Sequence, residues 1–144
     1  MESKPKILFL CTGNSCRSQM AEAWTQVLKG DQLEAYSAGT QPKGVDPRAV
    51  KAMAEVGIDI SNQKSKDIGS LGNQEFEYVV TLCDNARESC PFFPASTKRI
   101  HKGFEDPPIL AAGAETEEEA MAPYRRVRDE IKAFVQTLPE ILSQ

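Results

Sequence analysis

Much that a chain of 144 residues could carry is missing from this one. It has no apolar run near the ~20 residues needed to cross a bilayer. The opening Met1-Glu2-Ser3-Lys4-Pro5-Lys6 is followed only by the apolar residues 7–10, too short a stretch for a secretory signal. A basic stripe is absent as well. The 17 basic residues face 21 acidic ones for a net charge of −4, which argues against non-specific nucleic-acid binding. Any anion site must therefore be local, built from backbone dipoles and one or two arginines. The four cysteines (Cys11, Cys16, Cys83 and Cys90) contain no Cys-x-x-Cys pair, so a structural metal is not expected. The single histidine, His101, has no pattern around it and reads as structural. The plain reading is a cytoplasmic protein in which thiols act as buried residues or redox catalysts rather than as permanent staples.

What is present alternates between two periods. Lys6–Leu10 is a continuous apolar run ended by Thr-Gly and reads as a buried strand. Arg17–Lys29 is helical, with Met20, Ala23, Trp24, Val27 and Leu28 on its inner face and Gly30 as its stop. A weak strand spans 33–37. A second helix opens at Pro47 with Asp46 as N-cap, turns Val50, Met53, Ala54 and Val56 inward, and ends at Gly57. Residues 58–73 read as loop with a short helical turn, 76–82 as the clearest strand, and 84–90 as a helix cut short by Pro91. A last short strand lies at 97–101 and a loop at 103–114. The final helix starts at Pro123, and the acidic run 115–119 before it reads as solvated. Strands alternating with helices imply right-handed crossovers. The expected architecture is a four-stranded parallel sheet flanked by helices on both faces, one α/β domain over residues 1–144 with no internal repeat.

The chemistry gathers at the end of the first strand. Cys11-Thr12-Gly13-Asn14-Ser15-Cys16-Arg17-Ser18 places small and polar residues between a thiol and a guanidinium, and leads into a helix N-terminus. Unpaired amides there attract anions, and Gly13 permits a tight curl. The same field, with Arg17, should lower the pKa of Cys11 toward a thiolate. Arg17 can grip two oxygens of a tetrahedral oxyanion at once. Ligands of open parallel sheets bind beyond the carboxyl ends of the strands. Cys83 follows a later strand, so parallel pairing brings Cys11 and Cys83 to one edge, about 4.8 Å being the spacing of neighbouring strands.

This loop resembles the phosphate-binding loop of low-molecular-weight protein tyrosine phosphatases. Extended through Gln19-Met20-Ala21-Glu22, it resembles the arsenate reductases built on the same fold. Tyr36-Ser37-Ala38-Gly39, Val80-Thr81-Leu82-Cys83, Cys90-Pro91, Gly103-Phe104-Glu105-Asp106-Pro107 and Arg126-Val127-Arg128-Asp129-Glu130-Ile131 carry the same resemblance in order along the chain. It implies an anion held by Thr12, Gly13, Asn14, Ser15, Cys16, Arg17 and Ser18, and catalysis by Cys11, Arg17, Asp106, Cys83 and Cys90. In the implied relay Cys11 attacks arsenate while Asp106 protonates the departing hydroxyl. Cys83 then attacks the adduct to leave a Cys11–Cys83 disulfide, and Cys90 attacks Cys83 to leave a Cys83–Cys90 disulfide. Thioredoxin, or a glutaredoxin with a small thiol, would reduce that last bond. Glu105 is the neighbouring alternative to Asp106, which on pattern alone is a turn former. Ser18 is implied as a donor to the Cys11 thiolate or as a helix cap, Asn14 as a brace of the loop, and Cys16 as a packing residue.

Some thioredoxin-linked relatives in that family hold a potassium ion beside the loop. The residues matching Asn14, Glu22 and Ser37 take part, with two more ligands at the positions of Lys64 and Lys66. An ammonium cannot ligate a cation. Lys64 is therefore expected to supply the positive charge near Glu22 and Asn14, with no cofactor required. The expected enzyme is a monomeric arsenate reductase acting in arsenic detoxification. The alternatives are a phosphatase working through a Cys11 phosphoenzyme, indifferent to Cys83 and Cys90, and a sensor module whose thiols oxidise without turnover.

The relay constrains the chain between its last two thiols. Residues seven apart on an intact helix are separated by about 10.5 Å along the axis, whereas a disulfide needs Cα atoms roughly 4.4–6.8 Å apart. Segment 84–90 must therefore lose helix when Cys83 and Cys90 pair. Amide hydrogen exchange across 84–90 is expected to quicken on oxidation; equal protection in the reduced and oxidised protein would contradict this.

Overall fold

The computed structural model describes residues 4–71, 74–83 and 97–143. Four strands, β1 (Lys6–Leu10), β2 (Glu34–Ala38), β3 (Tyr78–Thr81) and β4 (Lys98–His101), form one sheet in the order β2-β1-β3-β4. All pairings are parallel, with Leu10 level with Ala38 on one side and Thr81 on the other. The order reverses between β1 and β3, where neighbouring connections leave in opposite directions and open a crevice at the strand ends. Cys11 and Cys83 stand at that crevice.

Among the described residues the α-helices are α1 (Arg17–Lys29), α2 (Pro47–Ala54), α3 (Pro107–Ala111) and α4 (Glu117–Gln136). Alternation along β1 sends Ile7 and Phe9 to one face and Leu8 and Leu10 to the other. On the first face Ile7, Phe9, Val80 and Leu82 join Met20, Trp24, Met53, Met121, Val127 and Ile131 from α1, α2 and α4 in the main core. On the second, Leu8, Leu10 and Val79 pack with Phe76, Tyr36 and the 3-10 turn Ile68–Leu71. Met20 and Trp24 are core residues, as their spacing predicts.

Several boundaries differ from the sequence reading. Val27 is 60% exposed, whereas Leu28 beside it in the last turn of α1 packs against the main core. In α2 the buried residues are Ala49, Ala52 and Met53 rather than Ala54 and Val56, and Val56 falls in the turn that closes at Gly57 with φ 83. The stretch 103–114 is not all loop. Pro107 and Pro108 open α3, where a missing amide costs nothing.

The largest correction concerns α4, which starts at Glu117 and runs through Pro123. Thr116 caps it by accepting from the Glu119 amide at 3.1 Å, and Glu119 reaches back to the Glu115 amide at 3.0 Å. Glu117, Glu118 and Glu119 sit where the helix dipole favours negative charge, so the acidic run is an N-terminal cap. The helix predicted over 84–90, and Cys90 itself, lie outside the described residues.

Arg128 ties this helix to the others. Its guanidinium donates to the Ala52 carbonyl at 2.9 Å and to Glu55 at 3.1 Å, while its own carbonyl accepts from the Trp24 indole at 3.2 Å. Replacing Arg128 with Ala leaves the Ala52 carbonyl without that donor. Urea denaturation should show a loss of about 1–3 kcal/mol, the cost of leaving a buried acceptor unsatisfied; an unchanged midpoint would refute the assignment.

Candidate active site

The loop from Cys11 to Arg17 is shaped from outside. The Thr12 carbonyl accepts from the Gln41 amide at 2.8 Å, Gly13 from the Lys43 amide at 2.9 Å and the Ser65 hydroxyl at 2.9 Å, Asn14 from the Gln19 side chain at 3.0 Å, and Ser15 from the Asp46 amide at 2.9 Å. In a planar trans peptide the N–H points opposite to the C=O. Four consecutive carbonyls drawn outward therefore turn the amides of Gly13, Asn14, Ser15 and Cys16 toward the centre of the loop. Among the described residues no backbone carbonyl outside regular structure accepts from those four amides. Below them α1 begins at Arg17 with no side-chain cap on its first turn, leaving donors for an anion.

Two residues make the curl possible, and neither is Gly13. Asn14 takes the left-handed conformation with φ 44, which asparagine tolerates. Its side-chain amide donates to Ser18 at 2.8 Å and its carbonyl oxygen accepts from the Lys66 amide at 2.7 Å. Gly39, at the end of β2, lies against the loop so closely that a Cβ would stand 2.5 Å from the Thr12 carbonyl oxygen and 2.8 Å from that of Cys11. The glycine demanded by the loop is thus on the neighbouring strand.

Arg17 is buried over the same space. It donates to the Phe104 carbonyl at 2.9 Å and faces Asp106 at 3.5 Å. Its Nε is buried with no partner, a donor whose cost is relieved when an oxyanion accepts from it. Asp106 sits just ahead of α3 without capping it, whereas Glu105 pairs outward with Arg126 at 3.1 Å. Of the two candidate acids, the one aimed at the pocket is Asp106. Cys11, Arg17, Cys83 and Asp106 all line one cavity of about 710 Å³, together with Thr12, Gly13, Ser15 and Cys16.

The thiols correct the electrostatic expectation. Hydrogen bonding to the Cys83 thiol and burial push the Cys11 pKa up, against the pull of Arg17. The Thr12 hydroxyl shares a hydrogen bond of 3.3 Å with Cys83, so the loop itself holds the second sulfur beside the first. Cys16 is buried, and burial followed by the nearby Asp46 carboxylate raises its pKa, in keeping with a packing role. Ser18 does not hydrogen-bond Cys11 among the described residues; it accepts from Asn14 instead.

The cation beside Glu22 is Lys66 and not Lys64. The Lys66 ammonium lies 3.8 Å from the Glu22 carboxylate and donates to the Lys64 carbonyl at 2.8 Å. Ser37 donates to the same Glu22 oxygen at 3.0 Å. Burial raises the Glu22 pKa, and Lys66 and Ser37 pull it down. Three contributors escaped the sequence reading. Asp46, expected only as a cap, also holds the loop through its amide and accepts from the Tyr124 hydroxyl at 2.5 Å. The Phe104 carbonyl positions Arg17, and Lys43 lines the pocket. No spacing announces any of them, since each arrives from a separate segment.

Both the fold and this loop are those of one family. The family model described as low molecular weight phosphotyrosine protein phosphatase matches residues 6–144, and the chain belongs to that family. Among its curated relatives, an arsenate reductase of Halalkalibacterium halodurans is 51% identical over 138 residues, covering 96% of this chain and 97% of the relative. An arsenate reductase of Bacillus subtilis is 53% identical over 141 residues, covering 95% and 99%. A solved arsenate reductase in its oxidised state matches with a TM-score of 0.76 at 31% identity, over 92% of this chain and 95% of that one.

The close approach at Gly39 is directly testable. A methyl group there must displace backbone, at the roughly 1–3 kcal/mol typical of overpacking. Gly39→Ala should lower the urea midpoint accordingly and weaken protection of the protein by inorganic phosphate; a variant equal to the parent in both would show that the loop does not need that contact.

Proposed function

We propose that the protein is an arsenate reductase that passes two electrons through Cys11, Cys83 and Cys90. One observation carries the reading: a second thiol, Cys83, lines the oxyanion pocket with Cys11 and is held there by the Thr12 hydroxyl at 3.3 Å. A phosphatase has no use for it, since water resolves a phosphorylated cysteine. The named relatives favour the same activity.

The steps follow from the groups present. Arsenate enters the ring of inward amides, with Arg17 bridging two of its oxygens through donors that include the unpartnered Nε. Arg17, the one group among the described residues that pulls the Cys11 pKa down, favours the attacking thiolate, and Asp106, facing Arg17 in the same pocket, serves as the acid. The Cys11 sulfur bonds to arsenic, and one arsenate hydroxyl leaves as water with the Asp106 proton. The Cys83 thiolate then attacks the Cys11 sulfur. An S–S bond forms, the S–As bond breaks, and its electron pair reduces As(V) to As(III), which departs as arsenite. Cys90 attacks the Cys83 sulfur, freeing Cys11 and leaving a Cys83–Cys90 disulfide. An external dithiol, thioredoxin or a glutaredoxin with a small thiol, takes up that disulfide in the cytoplasm. In this scheme Lys66 already balances Glu22, so the loop works without potassium.

Arsenate-dependent oxidation of NADPH with thioredoxin and its reductase tests the scheme. Turnover is expected in the parent and should fall by at least about 10³-fold in Cys11→Ser, the scale seen when a catalytic nucleophile is removed. Cys83→Ser and Cys90→Ser should each form the adduct or the first disulfide without multiple turnover. Asp106→Asn should slow the first step about 10²–10⁴-fold, the range of general acid catalysis. Hydrolysis of aryl phosphates unaffected by Cys83→Ser, with no arsenate turnover, would replace this reading by the phosphatase.

A further inference from the structure

We propose that Lys43 is the recruiting cation of the pocket, selecting the anionic oxyanion over an uncharged product; the identity of that oxyanion as arsenate rests on the function proposed above. Lys43 lies on the connection between β2 and α2, and its position is set twice. Its amide donates to the Gly13 carbonyl at 2.9 Å. Its stem lies across Gly13, with Cδ 3.4 Å and Cγ 3.5 Å from where a Cβ on that residue would stand. An exposed lysine whose chain is laid over the anion loop differs from one that simply faces solvent, and its side chain lines the cavity beside Cys11 and Arg17.

The charge balance gives that position its purpose. Four charged side chains line the cavity: Arg17 and Lys43 against Asp46 and Asp106. Arg17 is faced by Asp106 at 3.5 Å, and Asp46 is engaged by the Tyr124 hydroxyl and the Arg48 amide. Formally the pocket is neutral, inside a chain of net charge −4 that repels anions at a distance. Among the described residues no carboxylate forms an ion pair with Lys43, which makes it the cation left over for an incoming ligand. A flexible point charge at the rim suits capture and release, while the fork of Arg17 suits fixed two-point binding. A local cation also concentrates anions in a cleft. Arsenate is an anion at neutral pH, whereas arsenous acid is uncharged. The ammonium therefore attracts what must enter and has no hold on what must leave.

Two measurements on Lys43→Gln and Lys43→Arg decide the matter. In the coupled assay, Lys43→Gln should raise KM for arsenate about threefold to tenfold, the scale of an exposed charge acting on a doubly charged ligand. It should leave kcat within about twofold, flatten the ionic-strength dependence of kcat/KM, and be rescued by Lys43→Arg. Independently of turnover, alkylation of Cys11 by anionic iodoacetate and neutral iodoacetamide should be followed by peptide mass spectrometry. The iodoacetate-to-iodoacetamide rate ratio should fall about threefold or more in Lys43→Gln and recover in Lys43→Arg. An unchanged ratio, or a loss confined to kcat, would overturn the proposal. A reduced ratio in a protein that never turns over arsenate would keep Lys43 as the anion-recruiting residue while removing arsenate as its ligand.

Discussion

Everything at this site depends on where four carbonyl groups point. Thr12, Gly13, Asn14 and Ser15 each surrender their carbonyl oxygen to a donor outside the loop. Peptide planarity then leaves the amides no choice but to converge. The anion site is thus an indirect product of packing, made by Gln41, Lys43, Asp46, Gln19 and Ser65 pulling outward. A loop with the same residues but without those neighbours would have no reason to hold its amides inward.

The surrounding structure supplies those neighbours at short range. Gly39 lets β2 press against the loop, and its amide and carbonyl pair with Lys66 and Ile68. Asp46 starts α2, holds Ser15, and is gripped by Tyr124 from α4. Through Arg128 the same long helix also fastens α2 and α1. The loop is therefore anchored to the main core through side chains far away in sequence. Its rigidity is a tertiary property, which is what preorganised binding of a charged ligand requires.

The extent to which this was legible in the sequence follows from the range of each interaction. The extents of β1 and α1 were readable, though not the exposure of Val27, because an apolar run and a three-to-four periodicity are local signals. The meeting of Cys11 and Cys83 was readable too, since parallel pairing forces equivalent strand ends together. The start of α4 was misread because Pro123 looks like a first-turn residue, while the true cap at Thr116 lies hidden before a run of glutamates. Gly13 was credited with a freedom that belongs to Asn14 and Gly39, because a glycine in a loop is conspicuous and a close approach from another strand is not. The lowered thiol pKa expected of Cys11 ignored Cys83 as a hydrogen-bonding partner. Lys64 and Lys66 are two residues apart, and only the backbone path past Asn14 decides which ammonium reaches Glu22.

The adjacency of β1 and β3 has one more implication. A parallel sheet with this strand order must set the two strand ends side by side whatever residues occupy them. The second sulfur therefore occupies a place that the architecture provides in any case, packed against the smaller core and hydrogen-bonded to Thr12 of the anion loop. In the proposed relay, reductive chemistry on this scaffold adds only two thiols to the anion loop, Cys83 at this strand terminus and Cys90 beyond it. A change of reaction class here requires no change of fold.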